Sequence, residues 1–269
     1  MKRSIIAVLL AVFTILSLTK CSKDDHNGST IKTYVLVPGA WQAPYAWETV
    51  KSQLEAKGQK VVVVQLAAHG SDQTAPQNVS MDIYRDKVVR VIDSLNVKVI
   101  LVGHSLAGMV ISEVAEKVPS KIEKMIYIAA YLPVSGQTLL DLANTDANSL
   151  LGKSLVQSAD SLTLDVIHYN ITNIFVQDGS DAIKALVLKN YRVEPAIPFN
   201  NKVILTAANY GSVNKYYIHT VLDHVISIDL QNRMVAAAGI KNVTQINSSH
   251  CPFLVYPDSV TTMLMNIAK

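Results

Sequence analysis

Four apolar runs of strand length, separated by stretches of helical period, limit what this chain can become. "KTYVLVPG", "QKVVVVQL", "VKVILVG" and "IEKMIYIAAYLP" are rich in β-branched residues, and their apolar cores do not alternate with polar positions. A strand apolar on both sides is buried on both sides, which calls for a parallel sheet covered by helices on each face. The stretches between supply those helices. "YAWETVKSQLEAKG" places Trp47, Val50 and Leu54 at helical spacing and stops at Gly58. "APQNVSMDIYRDKVVRVIDSLN" places Ile83, Val88, Val89 and Ile92 on an apolar face, and "LAGMVISEVAEKV" runs up to Pro119. The expected fold is α/β: a mostly parallel sheet with helices on both faces and right-handed crossovers.

The alternation stops at Pro133. Short helical pieces mix with polar segments such as "NTDANS", "VQDGSD" and "EPAIPFNN" until about Ala208. It then resumes with "NKYYIHT", "SIDLQNRMVAAAG", "KNVTQIN" and "PDSVTTMLMNIA". The reading is a core over 32–132, a cap insertion over 133–208 lying above an active site, and the rest of the core over 209–269. The chain's 269 residues suffice for one large domain of this kind.

The first twenty residues stand apart. Lys2 and Arg3 precede the apolar run "IIAVLLAVFTILSL", whose fourteen residues are short for a membrane span. Residues 1–20 therefore read as a cleaved export signal. "LTKC" resembles a loose bacterial lipobox, with Lys20 in place of the usual small residue, and "CSKDD" resembles the surface-export tag of Bacteroidetes lipoproteins. These resemblances imply a lipidated Cys21, a flexible tether over 21–31, and an exported bacterial lipoprotein anchored in the outer membrane and facing outward.

The formal net charge is +3, and Lys2, Arg3 and Lys20 carry three positive charges in a signal that holds no acid. The remainder is neutral and shows no nucleic-acid footprint. The other cysteine, Cys251, has no partner for a disulfide once Cys21 is lipidated. No metal-ligand spacing appears, and no metal or other cofactor is expected.

One motif falls at a telling place. "VILVGHSLAGMVIS" carries a Gly-x-Ser-x-Gly knot, with Gly103 and Gly108 on either side of Ser105, where a strand gives way to a helix. That frame makes the knot a nucleophile elbow: a strained turn that lifts a serine hydroxyl above the carboxyl edge of the sheet. A serine needs a base, and the order of such triads asks for a late acid and a still later histidine. His250, in "NSSHCPF", follows the last strand. His104 adjoins the serine in the wrong geometry, and His69 and His168 come too early. Asp223 lies three residues past the end of the penultimate strand, whereas its competitor Asp229 falls where the next helix has begun. The oxyanion donors would be the amides of Leu106 and of Ala40, in "VPGAWQAPYAW" after the first strand.

At these motifs the chain resembles an α/β-hydrolase branch that holds plant methylesterases, hydroxynitrile lyases and related bacterial carboxylesterases. The branch reads "LVHGAWHGAWCW" and "GHSLGG" where this chain has "LVPGAWQAPYAW" and "GHSLAG". "NYGSVNKYYIHTVLDHVISIDLQNRM" and "SSHCPFLVYP" are similar to its acid and base regions. Pro38 and Gln42 replace two family histidines in the oxyanion loop, and Cys251 replaces the lysine that serves cyanide in the lyases. The resemblance implies a serine esterase that cleaves a small, fairly apolar carboxylic ester. Tyr131, Leu132, Phe175 and Tyr210 are candidates to line its pocket. A lyase-like activity on the same triad, or a non-catalytic surface binding protein, are the alternatives.

Overall fold

The computed structural model describes residues 31–269. The export signal, Cys21 and all but the last residue of the tether lie outside the described residues. In chain order the core elements are β1 (Thr33–Val37), α1 (Glu48–Ala56), β2 (Lys60–Val63), α2 (Met81–Leu95), β3 (Val99–His104), α3 (Ala107–Lys117) and β4 (Ile122–Ile128). After an insertion described below come the sheet strand β8 (Lys215–Thr220), α7 (Ile228–Ala237), β9 (Asn242–Ile246), α8 (Pro252–Val255) and α9 (Pro257–Ala268).

Six strands form one parallel sheet in the order β2-β1-β3-β4-β8-β9. The apolar runs fill its middle. Tyr34 to Val37, Leu101, Val102 and Met125 to Ile128 are all fully buried, because helices cover both faces. The edge strand β9 is largely exposed.

Local chemistry sets the helix ends. Ser80 caps α2 by accepting the Ile83 amide, and Asn96 ends the helix in the left-handed conformation. The inward face of α2 differs from the expected one. Met81, Tyr84, Val88 and Ile92 are buried, Val89 is half-buried and Ile83 is exposed. The 3-4-4 spacing of the buried set is the true helical stripe, and it includes a tyrosine that an apolar pattern passes over.

Four strands leave the sheet through a non-glycine residue at positive φ: Trp41 after β1, Ala68 after β2, Ser105 after β3 and Ala129 after β4. These sharp exits all lie at the carboxyl edge, where open parallel sheets bind ligands.

Between β4 and β8 the chain builds α4 (Leu139–Ala143), β5 (Leu155–Gln157), β6 (Thr163–Val166), α5 (Ile171–Phe175), α6 (Asp181–Asn190) and β7 (Glu194–Pro195). The three strands form a small antiparallel sheet in the order β5-β6-β7, which sequence reading did not foresee. The inserted segment is tied to the loops at the carboxyl edge. Ser149 Oγ donates to the Val225 carbonyl at 2.7 Å, and the Cys251 amide donates to the Phe175 carbonyl at 3.2 Å.

Candidate active site

Ser105 stands at the tip of the β3–α3 turn with φ +54°. A side chain in this region of backbone space is strained, and such strain persists where the surroundings fix it. Here they do. The Ser105 carbonyl accepts the Gly108 amide at 3.0 Å and the Tyr131 amide at 3.1 Å. A Cβ on Gly103 would fall 2.9 Å from the Ala107 carbonyl oxygen, and one on Gly108 would run into the Tyr131 carbonyl oxygen. The residue two beyond the serine is Ala107, fully buried. The second glycine that the packing demands is therefore Gly108, one place later than the usual motif puts it.

Asp223 and His250 meet beside this turn. His250 Nδ1 lies 2.8 Å from Asp223 Oδ2, and both residues are buried. Every hydrogen bond to the Asp223 carboxylate comes from a donor. Thr220 Oγ1 and Gln231 Nε2 reach Oδ2 at 2.7 and 3.4 Å, and the Val225 and Ile226 amides reach Oδ1 at 2.7 and 3.0 Å. Thr220 and Gln231 were not singled out in the sequence. Thr220, the last residue of β8 and three before the acid, was the available signal. Gln231 is positioned by the fold alone, one helical turn into α7. Asp229 points elsewhere and pairs with Arg233 at 2.9 Å on the exposed face of α7.

His104 has a different task from His250. Its Nε2 donates to the His250 carbonyl at 2.9 Å, so this ring props the loop that carries His250. Burial holds the His104 imidazole well below its usual range, as does the neighbouring His250, and it stays neutral. Among the described residues no hydrogen bond joins Ser105 Oγ to His250 Nε2; the bond His250 makes through its ring is the one from Nδ1 to Asp223.

Gly39 packs directly on the serine: a Cβ there would sit 2.7 Å from Ser105 Cβ. This brings the Ala40 amide to the same edge as the Leu106 amide, and neither donates to a backbone acceptor among the described residues. Gln42, in the place of a family histidine, reaches Cys251 Sγ with its Nε2 at 2.8 Å. Cys251 is fully buried, and burial pushes its thiol well above the usual range. The residue after His250 is thus neutral.

A cavity of about 280 Å³ opens within the inserted segment, walled by Tyr131, Leu139, Ala143, Leu151, Leu155 and Phe199. Tyr131 touches the Ser105 turn through its amide, and Phe199 packs on Trp41 of the loop after β1 with ring centres 5.8 Å apart. Phe175 packs between Trp41 and His250, at 5.7 and 6.1 Å. Tyr210 lies away from this place. Its hydroxyl meets Tyr127 at 3.3 Å and its ring lies under the Lys215 ammonium at 4.1 Å, which removes it from the candidate pocket residues.

The description "Alpha/beta hydrolase family" matches residues 34–261 of this chain. The chain belongs to the α/β-hydrolase family. Its relatives include plant methylesterases, the branch to which the motifs point. Methylesterase 9 of Arabidopsis thaliana is 27% identical over 88% of this chain and 98% of its own length. A chloroplastic protein of the same plant, named as methylesterase 11, is 29% identical over 88% of this chain, and the match spans 64% of that longer protein. Among solved structures, polyneuridine aldehyde esterase superposes with a TM-score of 0.80 at 22% identity, covering 89% of this chain and all of that one. At that identity the likeness speaks for the fold of this hydrolase.

Proposed function

We propose that this α/β-hydrolase is a serine carboxylesterase acting on a small, fairly apolar ester. The observation that carries the reading is the buried Asp223–His250 pair at 2.8 Å, set beside a serine on a strained turn at the carboxyl edge of the sheet. The esterase names of its relatives support it.

In this reading Ser105 Oγ attacks the ester carbonyl carbon while His250 Nε2 takes the hydroxyl proton. Asp223 fixes His250 through Nδ1 and stabilises the imidazolium that forms. The Ala40 and Leu106 amides hold the oxyanion of the tetrahedral intermediate. That intermediate collapses to an acyl-serine, and the proton on His250 passes to the departing alkoxide, which leaves as the alcohol. Water then attacks the acyl-serine by the same route, frees the acid and returns the proton to Ser105. The cavity of the inserted segment is lined by neither Ser105 nor His250, and its link to them is Tyr131, whose amide bonds to the Ser105 carbonyl.

Cyanohydrin cleavage on the same three residues would need a positive charge for the departing cyanide. The neutral thiol of Cys251 supplies none. Purified protein should therefore hydrolyse p-nitrophenyl acetate, lose that activity on Ser105→Ala with its melting curve kept, and turn over mandelonitrile far more slowly. Cyanide release matching the ester rate and abolished by Ser105→Ala would replace esterase with lyase.

For location we propose an outer-membrane lipoprotein anchored through Cys21, supported by "LTKCSKDD" after a short apolar run. Cys21→Ala should move the protein to the soluble fraction. A wild-type protein that is already soluble and begins at another residue contradicts the anchor.

A further inference from the structure

The loop that carries Ala40 is held firmly, and the hold on it comes from the inserted segment. Trp41 has φ +58°, a conformation that a tryptophan adopts only under constraint. Its amide donates to Glu194 Oε2 at 2.8 Å, and its indole Nε1 donates to the Leu164 carbonyl at 3.0 Å. Leu164 and Glu194 are register partners in the small inserted sheet. One rung of that sheet therefore grips both the backbone and the side chain of Trp41.

Glu194 is itself fixed from two further directions. Tyr84 of α2 donates its hydroxyl to Oε1 at 3.0 Å. His69, from the loop after β2, places Nε2 2.9 Å from Oε2, a close charge contact rather than an aligned hydrogen bond. The other ring nitrogen of His69 donates to the Ala67 carbonyl at 2.8 Å, so the ring cannot swing away. Glu194, Tyr84 and His69 are all buried. A buried acid costs free energy unless it is paired and hydrogen-bonded, so a group like this is expected where geometry depends on it.

We propose that Glu194 is a positioning residue for the oxyanion hole: reaching from the inserted segment, it fixes the Trp41 peptide and so aims the adjoining Ala40 amide at the substrate oxygen. Gly39, packed on Ser105, pins one side of Ala40, and Trp41, held by Glu194, pins the other. The donor between them keeps one direction before substrate arrives, which is the condition for oxyanion stabilisation. This role rests on the esterase reading above.

The test compares Glu194→Gln, Tyr84→Phe and a stability control, Ile92→Ala, which removes buried volume from α2 without touching the loop. Active sites are counted by titration with a fluorophosphonate, and turnover of p-nitrophenyl acetate is expressed per titrated site. Removing an oxyanion donor outright costs about 10²–10³ in kcat, so misdirecting one should cost about ten-fold or more in Glu194→Gln, with KM within about two-fold. Tyr84→Phe, which deletes one donor to the carboxylate and keeps the ring, should lower kcat by a smaller but clear factor. Binding of an aryl trifluoromethyl ketone, whose adduct carries an oxyanion, should weaken in parallel with kcat. Ile92→Ala should lower the melting temperature and leave per-site kcat unchanged. Per-site kcat within about two-fold of wild type in both Glu194→Gln and Tyr84→Phe overturns the proposal. If Glu194→Gln does not fold, Tyr84→Phe alone decides by the same criterion. Failure of the underlying esterase reading would show separately, as wild-type turnover that survives Ser105→Ala.

Discussion

Two aspartates that follow β8, one in the loop and one in the first turn of α7, show what a single residue's surroundings decide. Asp223 receives donors from Thr220, Val225, Ile226, Gln231 and His250. Asp229 is exposed and has one partner, Arg233, four residues on. Exposed pairs of that spacing are worth about 0.3–0.5 kcal/mol, so Asp229→Asn should barely move activity or stability. Asp223→Asn should lower kcat by about 10⁴, the size seen when a triad acid loses its charge and the base takes the wrong tautomer. Steady-state kinetics on the two variants check this, and the reverse ranking contradicts the assignment. Asp223, His250 and Ser105 were legible as positions because each sits just past a strand end, where a parallel sheet collects its chemistry. The second glycine of the elbow was legible only in part. The packing shows that the close approach falls at Gly108, against Tyr131, while Ala107 fits where the usual motif has glycine.

At the scale of elements, the core strands and their order of alternation with helices were legible because burial on both faces leaves continuous apolar runs. Amphipathic detail was less so. On α2 the stripe runs through Tyr84, whose hydroxyl is buried only because Glu194 accepts it. The short strands β5, β6 and β7 carry too few residues for any period to show, and their pairing depends on contacts distant in sequence. The pair they deliver to the core has a pH signature. Burial alone would depress the His69 imidazole. The Glu194 charge beside it, with the hydrogen bond to the Ala67 carbonyl, outweighs that and raises it above 6.5, against a smaller opposing effect of Arg192. A group raised on folding gives stability that is full below its unfolded value and is lost as pH rises through the folded one. The stability gap between wild type and His69→Gln should therefore be widest below about pH 6.5 and narrow at alkaline pH. Urea unfolding at several pH values measures it, and a gap that stays constant or grows with pH contradicts the pairing.

At the scale of the molecule, the inserted segment does more than cover the sheet edge. It holds three of the loops that carry candidate site residues, those of Ala40, Asp223 and His250. Glu194 and Leu164 hold the loop of Ala40, Asp146 accepts the Ser227 amide at 2.8 Å beyond Asp223, and Asp178 accepts the Ser249 amide at 2.9 Å before His250. None of these ties was legible beforehand, since each joins residues 71 to 153 positions apart in the chain. The account makes the catalytic centre a joint product of core and insertion, with Ser105 as the one nucleophile. That claim is tested most directly by treating the folded protein with a fluorophosphonate and locating the adduct by peptide mass mapping. The account predicts one adduct per chain, on Ser105, formed at a rate that falls sharply in Asp223→Asn. An adduct on a different serine, or an unmodified Ser105 in protein that still hydrolyses esters, would contradict it.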